Sequence, residues 1–385
     1  MATSEKFGEI VDFIKGLYPG KKFIPLHEPV FIGNERAYVL DAIDSTFVSS
    51  VGAYVDRFEQ MMCQITGASN AVAIVNGTNA LHMALLLADV QGDDEVLSQS
   101  LTFIATCNAI SYIGAKPVFI DVDRDTLGMS PEALRNFLAV HAEIRPDGLT
   151  YNKTTNKRIK ACVPMHTFGL PCRIDEIANI CDLWNITLVE DAAESLGSYY
   201  KEKHTGTFGK IGVFSFNGNK TVTSGGGGAL VTNDVAMAKK AKHLSTQAKV
   251  PHQWAFVHDA IGYNYRMPNL NAALACAQLE QLDKFVKNKR ELSQSYSTKF
   301  KALGIDYCTE IQGARANYWL NAILLNDFEQ REEFLKYTNN NGVMTRPAWE
   351  LMNRLPMFEN ASKGDLSNSE FIAQRLVNIP SSVRH

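Results

Sequence analysis

Three stretches of this 385-residue chain set reactive side chains beside glycines or at the end of an apolar run. The first is Asn76-Gly77-Thr78-Asn79, which follows the apolar segment Ala71 to Val75 and precedes a helical pattern from Ala80 to Leu87. Backbone N–H groups and a hydroxyl at the positive end of a helix are the makings of a phosphate site. Read locally, the same residues are a helix cap built on Thr78 or Asn76, and no G-x-G-x-x-G or G-K-[ST] run accompanies them. The second stretch, Val189-Glu190-Asp191, ends an apolar run with a carboxylate that needs a cationic or proton-donating partner if it is buried. The third is Phe214-Ser215-Phe216-Asn217-Gly218-Asn219-Lys220, followed after four residues by Gly225 to Gly228. A lysine between an aromatic run and a glycine run can approach an internal cofactor, although in isolation it reads as a solvated loop lysine.

What joins these stretches is the pattern of elements around them. Short Val- and Ile-rich runs at Ala71 to Val75, Asp94 to Gln99, Pro117 to Val122, Ile159 to Met165 and Ile186 to Glu190 alternate with helical patterns. Such alternation predicts a mostly parallel sheet with ligands at the carboxyl ends of its strands. Two further runs, Val213 to Phe216 and Gly228 to Thr232, are too close for a helix between them, so an antiparallel strand is allowed. Helices are expected over the first twenty residues, from Gly33 to Ser45 and from Tyr54 to Thr66. Pro268 opens an apolar period through Leu270, Leu282, Leu292 and Phe300 that predicts one long connecting helix. Beyond it, a strand at Tyr318 to Leu325, a helix at Phe328 to Thr338 and a strand at Val343 to Arg346 predict a small α+β unit. The division is residues 1–267 for a large α/β domain with an N-terminal helical segment, and 268–385 for the connecting helix and small domain.

The order of Gly77-Thr78, Phe103, Asp191, Ser215 and Lys220 resembles the site of fold-type I pyridoxal-phosphate aminotransferases. Together with Ile24-Pro25-Leu26, Glu190-Asp191-Ala192-Ala193-Glu194 and Gly262-Tyr263-Asn264-Tyr265-Arg266-Met267, the chain is similar to the DegT/DnrJ/EryC1/StrS nucleotide-sugar aminotransferases over nearly its whole length. The resemblance implies a seven-stranded α/β domain flanked by helices and a Schiff base between pyridoxal 5'-phosphate and Lys220, which then shuttles a proton as acid and base. It implies that Asp191 pairs with the pyridine nitrogen and that Phe103 stacks on the ring. Gly77, Thr78 and Ser215 would receive the phosphate, along with Asn264 reaching across from a second copy, which makes the expected state a homodimer with shared sites. Two positions depart from the family's habit. Glu194 stands where Gln or His is frequent, placing a carboxylate near the cofactor's phenolic oxygen, and Asn79 replaces a small residue in the phosphate turn.

Within the family the sequence looks most like the bacillosamine- and legionaminate-precursor branch, which implies L-glutamate as amino donor and amination at C4 of a UDP-linked 4-keto-6-deoxy-N-acetylhexosamine. Ser49 and Ser50, in Phe47-Val48-Ser49-Ser50, would reach the hexose hydroxyls, and Arg346 the diphosphate. His166, at the end of its strand, is expected to touch cofactor or substrate; a satisfied core histidine is the other reading. Competing readings are a 3-amino or GDP- or dTDP-sugar aminotransferase, a sugar dehydratase of the same fold, and a non-catalytic nucleotide-sugar-binding regulator. The dehydratases of the fold replace the lysine by histidine, and Lys220 is present.

Composition is consistent with such an enzyme. With 45% hydrophobic and 21% charged residues and a net charge of -3, the chain can build a large core and carries no basic footprint for nucleic acid. Seven cysteines without a C-x-x-C pair fit a reducing, cytoplasmic setting. No run approaches the roughly 18 apolar residues of a membrane span. Asp121-Val122-Asp123-Arg124-Asp125 with Glu132 mimics a calcium loop, but Thr126 occupies the glycine position and no metal is expected there.

Overall fold

The computed structural model describes residues 3–384. Its central sheet is built from β1 (Asn70–Ile74), β2 (Glu95–Gln99), β3 (Lys116–Ile120), β4 (Ile159–Val163), β5 (Thr187–Asp191), β6 (Ile211–Ser215) and β7 (Gly228–Thr232), in the spatial order β1-β7-β6-β5-β4-β2-β3. Only β7 runs against its neighbours, and the other pairings are parallel, as the alternation of runs predicts. Strands buried on both faces need apolar residues at successive positions. Accordingly Val72 and Ile74 pack on α4 (Gly77–Leu87), α5 (Ile104–Tyr112) and α8 (Val235–Ser245). Ala71 and Ala73 face the opposite layer, where α3 (Ala53–Thr66) and α9 (Asn269–Leu279) lie. The far end of that layer is α6 (Pro131–His141) with α7 (Ile174–Leu183). The start of α6 is fixed by Ser130, whose hydroxyl accepts from Ala133 N–H, with Pro131 in the first turn.

The single long helix expected after Pro268 is two helices, α9 and α10 (Leu282–Ala302). They part at Glu280, whose carboxylate is drawn sideways to Arg57 at 2.5 Å, Tyr38 at 2.7 Å and Asn34 at 2.9 Å. The break lets α9 bury Ala272, Ala275 and Cys276 against the large sheet, while α10 sends Leu292, Tyr296 and Phe300 into a different core.

That second core belongs to the small domain, a sheet of β8 (Asp306–Tyr307), β9 (Asn321–Leu324), β10 (Arg346–Pro347) and β11 (Leu376–Ile379) in the order β8-β9-β11-β10, covered by α11 (Phe328–Asn340). The N-terminal helix α1 (Thr3–Leu17), expected within the 1–267 unit, packs here instead: Phe7, Ile10, Val11 and Ile14 join Phe334, Val343 and Val377. Helix α1 and strand β11, from opposite parts of the chain, therefore share one core. The expected strand from Tyr318 begins only at Asn321, because Tyr318 takes a left-handed φ of 49° that no strand accommodates. The acidic run is used up in packing: Asp123 and Asp125 grip Arg173 at 2.7 and 2.6 Å, and Asp121 accepts from the N–H groups of Asn368 and Ser369. Among the described residues no helix is long and apolar enough to cross a membrane.

Candidate active site

The carboxyl ends of β1, β5 and β6 open on one cleft of about 310 Å³, and Gly77, Thr78, Phe103, Asp191, Glu194, Ser215 and Lys220 all line it. A larger hollow of about 430 Å³ beside α6 is lined by residues of none of the reactive stretches. The helix geometry of α4 leaves the N–H groups of Gly77 and Thr78 without intrahelical acceptors. Asn76, rather than Thr78, is the cap, its side chain accepting from Asn79 N–H at 2.8 Å. Thr78 and Ser215 thus present hydroxyls at a positive helix end, that of Ser215 also accepting from Asn217 N–H at 3.4 Å. A Cβ at Gly77 would lie 2.9 Å from Ser215 Cβ, so the closeness of this cradle depends on glycine.

Asp191 ends β5 and is buried, which pushes its carboxyl above the usual range. It accepts from Thr106 Oγ1 at 2.7 Å and from Ala193 N–H at 3.1 Å, with no cationic side chain in hydrogen-bond range among the described residues. A buried carboxylate facing a cleft with no cation hydrogen-bonded to it fits a protonated ring nitrogen. Glu194 is equally enclosed. Burial, opposed by the Lys220 ammonium, brings its carboxyl up to about 7, while Oε2 accepts from Phe168 N–H at 2.8 Å and Oε1 lies 3.4 Å from Lys220 Nζ. Phe103, at 48% exposure, overhangs the cleft beside Trp349, their ring centroids 6.1 Å apart.

Trp319 and Trp349 also line the cleft, both from beyond the large domain, and neither follows from the turn pattern of the sheet. Thr106, three residues after Phe103, is likewise an unforeseen partner. His27, just after the Ile24-Pro25-Leu26 stretch, has both ring nitrogens buried without a hydrogen-bond partner among the described residues. Its burial, with the cations of Lys289 and Lys220 nearby, holds the ring neutral well below the ordinary histidine range.

Comparison with known proteins decides what this cleft belongs to. The description of the DegT/DnrJ/EryC1/StrS aminotransferase family matches residues 31–384. The chain belongs to the DegT/DnrJ/EryC1/StrS aminotransferase family. It is 38% identical over 361 residues to the GDP-perosamine synthase of Escherichia coli O157:H7, covering 94% of this chain and 93% of that one. It is 36% identical to the GDP-perosamine synthase of Vibrio cholerae, covering 93% and 94%. The solved structure of the aminotransferase TlmJ from Streptoalloteichus hindustanus superposes with a TM-score of 0.84 at 25% identity, covering 93% of each chain. The fold is thus that of the fold-type I aminotransferases, and the protein is a nucleotide-sugar aminotransferase of a pyridoxal-phosphate-dependent family. The names of these relatives point to GDP-linked sugars and not to the bacillosamine branch that the motifs resemble.

Other residues expected at the site of a DegT/DnrJ/EryC1/StrS enzyme lie elsewhere. His166 is fully buried, its Nε2 3.1 Å from Glu190 Oε2 and its Nδ1 3.6 Å from Cys172 Sγ, so it is a satisfied core histidine and not a wall of the cleft. Met165 lines the cleft, and the next side chain on an extended segment points away. Ser49 is exposed and Ser50 half-buried, outside the cleft wall. Arg346 is exposed on β10, donating to Asn339 Oδ1 at 3.1 Å and Thr345 O at 3.0 Å. Asn264 is exposed and bridges to Thr246, also outside this chain's own cleft.

Proposed function

We propose that this protein moves the amino group of L-glutamate to C4 of a nucleotide-linked 4-keto-6-deoxyhexose, with Lys220 as the covalent anchor of pyridoxal 5'-phosphate. The observation that carries the reading is the gathering of Lys220, a buried Asp191 with no cation among the described residues hydrogen-bonded to it and the Gly77–Thr78–Ser215 cradle in one cleft. When bound, the cofactor supplies an electron sink for the carbon that loses its proton. Asp191 would keep the ring nitrogen protonated, its own carboxylate oriented by Thr106. Lys220, with Nζ beside Glu194, would carry the proton to and from the reacting carbon. Glu194, held near 7, has a neutral form able to donate a hydrogen bond to an oxygen that a carboxylate would repel. Phe103 would cover the exposed face of the ring.

Our reading of the sugar is a UDP-linked 4-keto-6-deoxy-N-acetylhexosamine, supported by the Phe47 to Gly52 and Thr345 to Pro347 motifs. A GDP-linked 4-keto-6-deoxyhexose is the second reading, favoured by the names of the two relatives. The shared-site homodimer is supported by the exposed apolar residues Phe47, Val48, Val51, Trp254, Phe256 and Ile261, which flank Ser49, Ser50 and Asn264 in sequence. A second copy covering that face would bring Asn264 to the other cleft. Free thiols at all seven cysteines support a cytoplasmic setting. Incubation with glutamate and a panel of 3-keto and 4-keto sugars linked to UDP, GDP or dTDP, with NMR of the product, tests the assignment. Amination at C4 of the UDP sugar is the expected result. Turnover of GDP sugars alone selects the second reading, and amination at C3 removes both.

A further inference from the structure

We propose that Trp319 is a positioning residue for Lys220, holding both the reactive amine and the main chain that carries it. The inference rests on the reading of Lys220 as the reacting amine. Lys220 Nζ lies 3.9 Å from the centroid of the Trp319 ring, well within the range at which an aromatic face attracts an ammonium. The same indole donates its Nε1–H to the carbonyl oxygen of Asn219 at 2.7 Å. One side chain therefore touches the tip of the lysine and the peptide at its base.

Trp319 is in turn fixed from several sides. Its N–H donates to Asn317 Oδ1 at 2.8 Å, and Asn317 Nδ2 donates to the carbonyls of Glu194 and Leu196 at 2.9 and 2.8 Å, just beyond Asp191. Its carbonyl accepts from Lys289 Nζ at 3.1 Å. Lys289 is fully buried, and its other hydrogen-bond partner is the carbonyl of Ser381 at 2.5 Å, so an ammonium is enclosed without any carboxylate bonded to it. Burial of that kind is costly and lowers the amine to about 7. Next to Trp319, Tyr318 takes its left-handed φ of 49°, which a bulky residue adopts only when its surroundings impose it. Two costly features, an unpaired buried lysine and a strained aromatic residue, converge on the placement of one indole before β9 begins.

Such placement matters because Lys220 must be free to leave its anchor and return. A flexible four-carbon chain released into a cleft samples many geometries, of which few permit proton transfer. An indole face beside Nζ, with Asn219 tied down, restricts the amine to the neighbourhood of the reacting carbon.

The test compares Trp319→Phe, which keeps an aromatic face and loses the N–H, with Trp319→Leu, which loses both, in the full-length enzyme. Single-turnover conversion of glutamate should slow about tenfold in the first and on the order of a hundredfold in the second. The deuterium isotope effect from α-deuterated glutamate should rise while KM for glutamate stays within about twofold, since proton transfer and not binding is impaired. In protein stripped of cofactor, acetylation of Lys220 by an amine-reactive ester, read by peptide mass spectrometry, should be about tenfold faster in the Leu variant. Wild-type rates and labelling in Trp319→Leu would overturn the proposal, as would a slower reaction with unchanged isotope effect and labelling. Failure of the wild type to release 2-oxoglutarate from glutamate would instead sink the reading of Lys220, and this inference with it.

Discussion

The hydroxyl of Thr106 lies 2.7 Å from Asp191 Oδ2 and supplies the one side-chain hydrogen bond to that carboxylate among the described residues. The bond ties the first turns of α5 to the end of β5, and it favours the charged carboxylate against the burial that raises it. Asp191→Asn keeps the phosphate cradle but loses the charge, so cofactor should remain bound while the glutamate half-reaction slows on the order of 10³-fold. Thr106→Val, which removes only the orienting bond, should slow it by about tenfold. Stopped-flow absorbance of the two variants checks both, and a near-wild-type rate for Asp191→Asn would reduce that residue to a structural role.

Glu194 makes folding depend on pH in a definite direction. Its carboxyl is raised to about 7 in the folded chain, chiefly by burial, against an ordinary value of 4.5. Between those values the folded state holds a proton that the unfolded chain has released, so stability falls as pH rises through the window. The contribution is fully present below the lower value and is lost by neutral pH, up to about 3 kcal/mol at 1.36 kcal/mol per pH unit. Urea unfolding of cofactor-stripped protein from pH 5 to 8 should show the wild type losing ground to Glu194→Gln as pH rises. A constant difference between the two would show that the carboxyl titrates normally.

His166 should behave as a residue of the core. Burial opposes its charge while Cys172 and Glu190 favour it, and the ring is held on both sides, Nε2 3.1 Å from Glu190 Oε2 and Nδ1 accepting from Cys172 N–H at 3.3 Å. His166→Leu removes one partner of Glu190, which keeps the N–H groups of Gly206 and Gly209 at 2.7 and 2.6 Å, and should cost about 1 to 3 kcal/mol in unfolding free energy. KM for the sugar should be unchanged in the folded fraction. A raised KM at unaltered stability would return His166 to the substrate site.

The contrast between His166 and Lys220 shows what could be read before the structure. The order of Gly77, Asp191, Ser215 and Lys220 along the chain was legible because each follows a Val- or Ile-rich run, and strands of a parallel sheet deliver their ends to one edge. His166 also follows such a run, but side-chain alternation gives the cleft to Met165, and a one-residue shift reverses the face. The break at Glu280 was hidden because Asn34, Tyr38 and Arg57, which draw its carboxylate aside, lie more than two hundred residues earlier. Trp319 and Trp349 were hidden for a related reason. They enter the cleft from beyond the sheet, Trp319 through a segment whose strained Tyr318 no periodic pattern announces and Trp349 from just after β10.

The role of Lys220 is tested most directly by single-turnover release of 2-oxoglutarate from L-glutamate by wild type and by Lys220→Ala, each loaded with pyridoxal 5'-phosphate. The lysine lies in a cleft wall with its side chain 13% exposed, and its removal leaves the packing of β6 and β7 intact, so the variant should fold. Wild type should release one 2-oxoglutarate per active site, and subsequent addition of a 4-keto nucleotide sugar should return the protein to its starting spectrum with an amino sugar formed. Lys220→Ala should retain the fold and release none. Stoichiometric release by a folded Lys220→Ala variant, or its absence in the wild type, would contradict the assignment of Lys220 as the reacting amine.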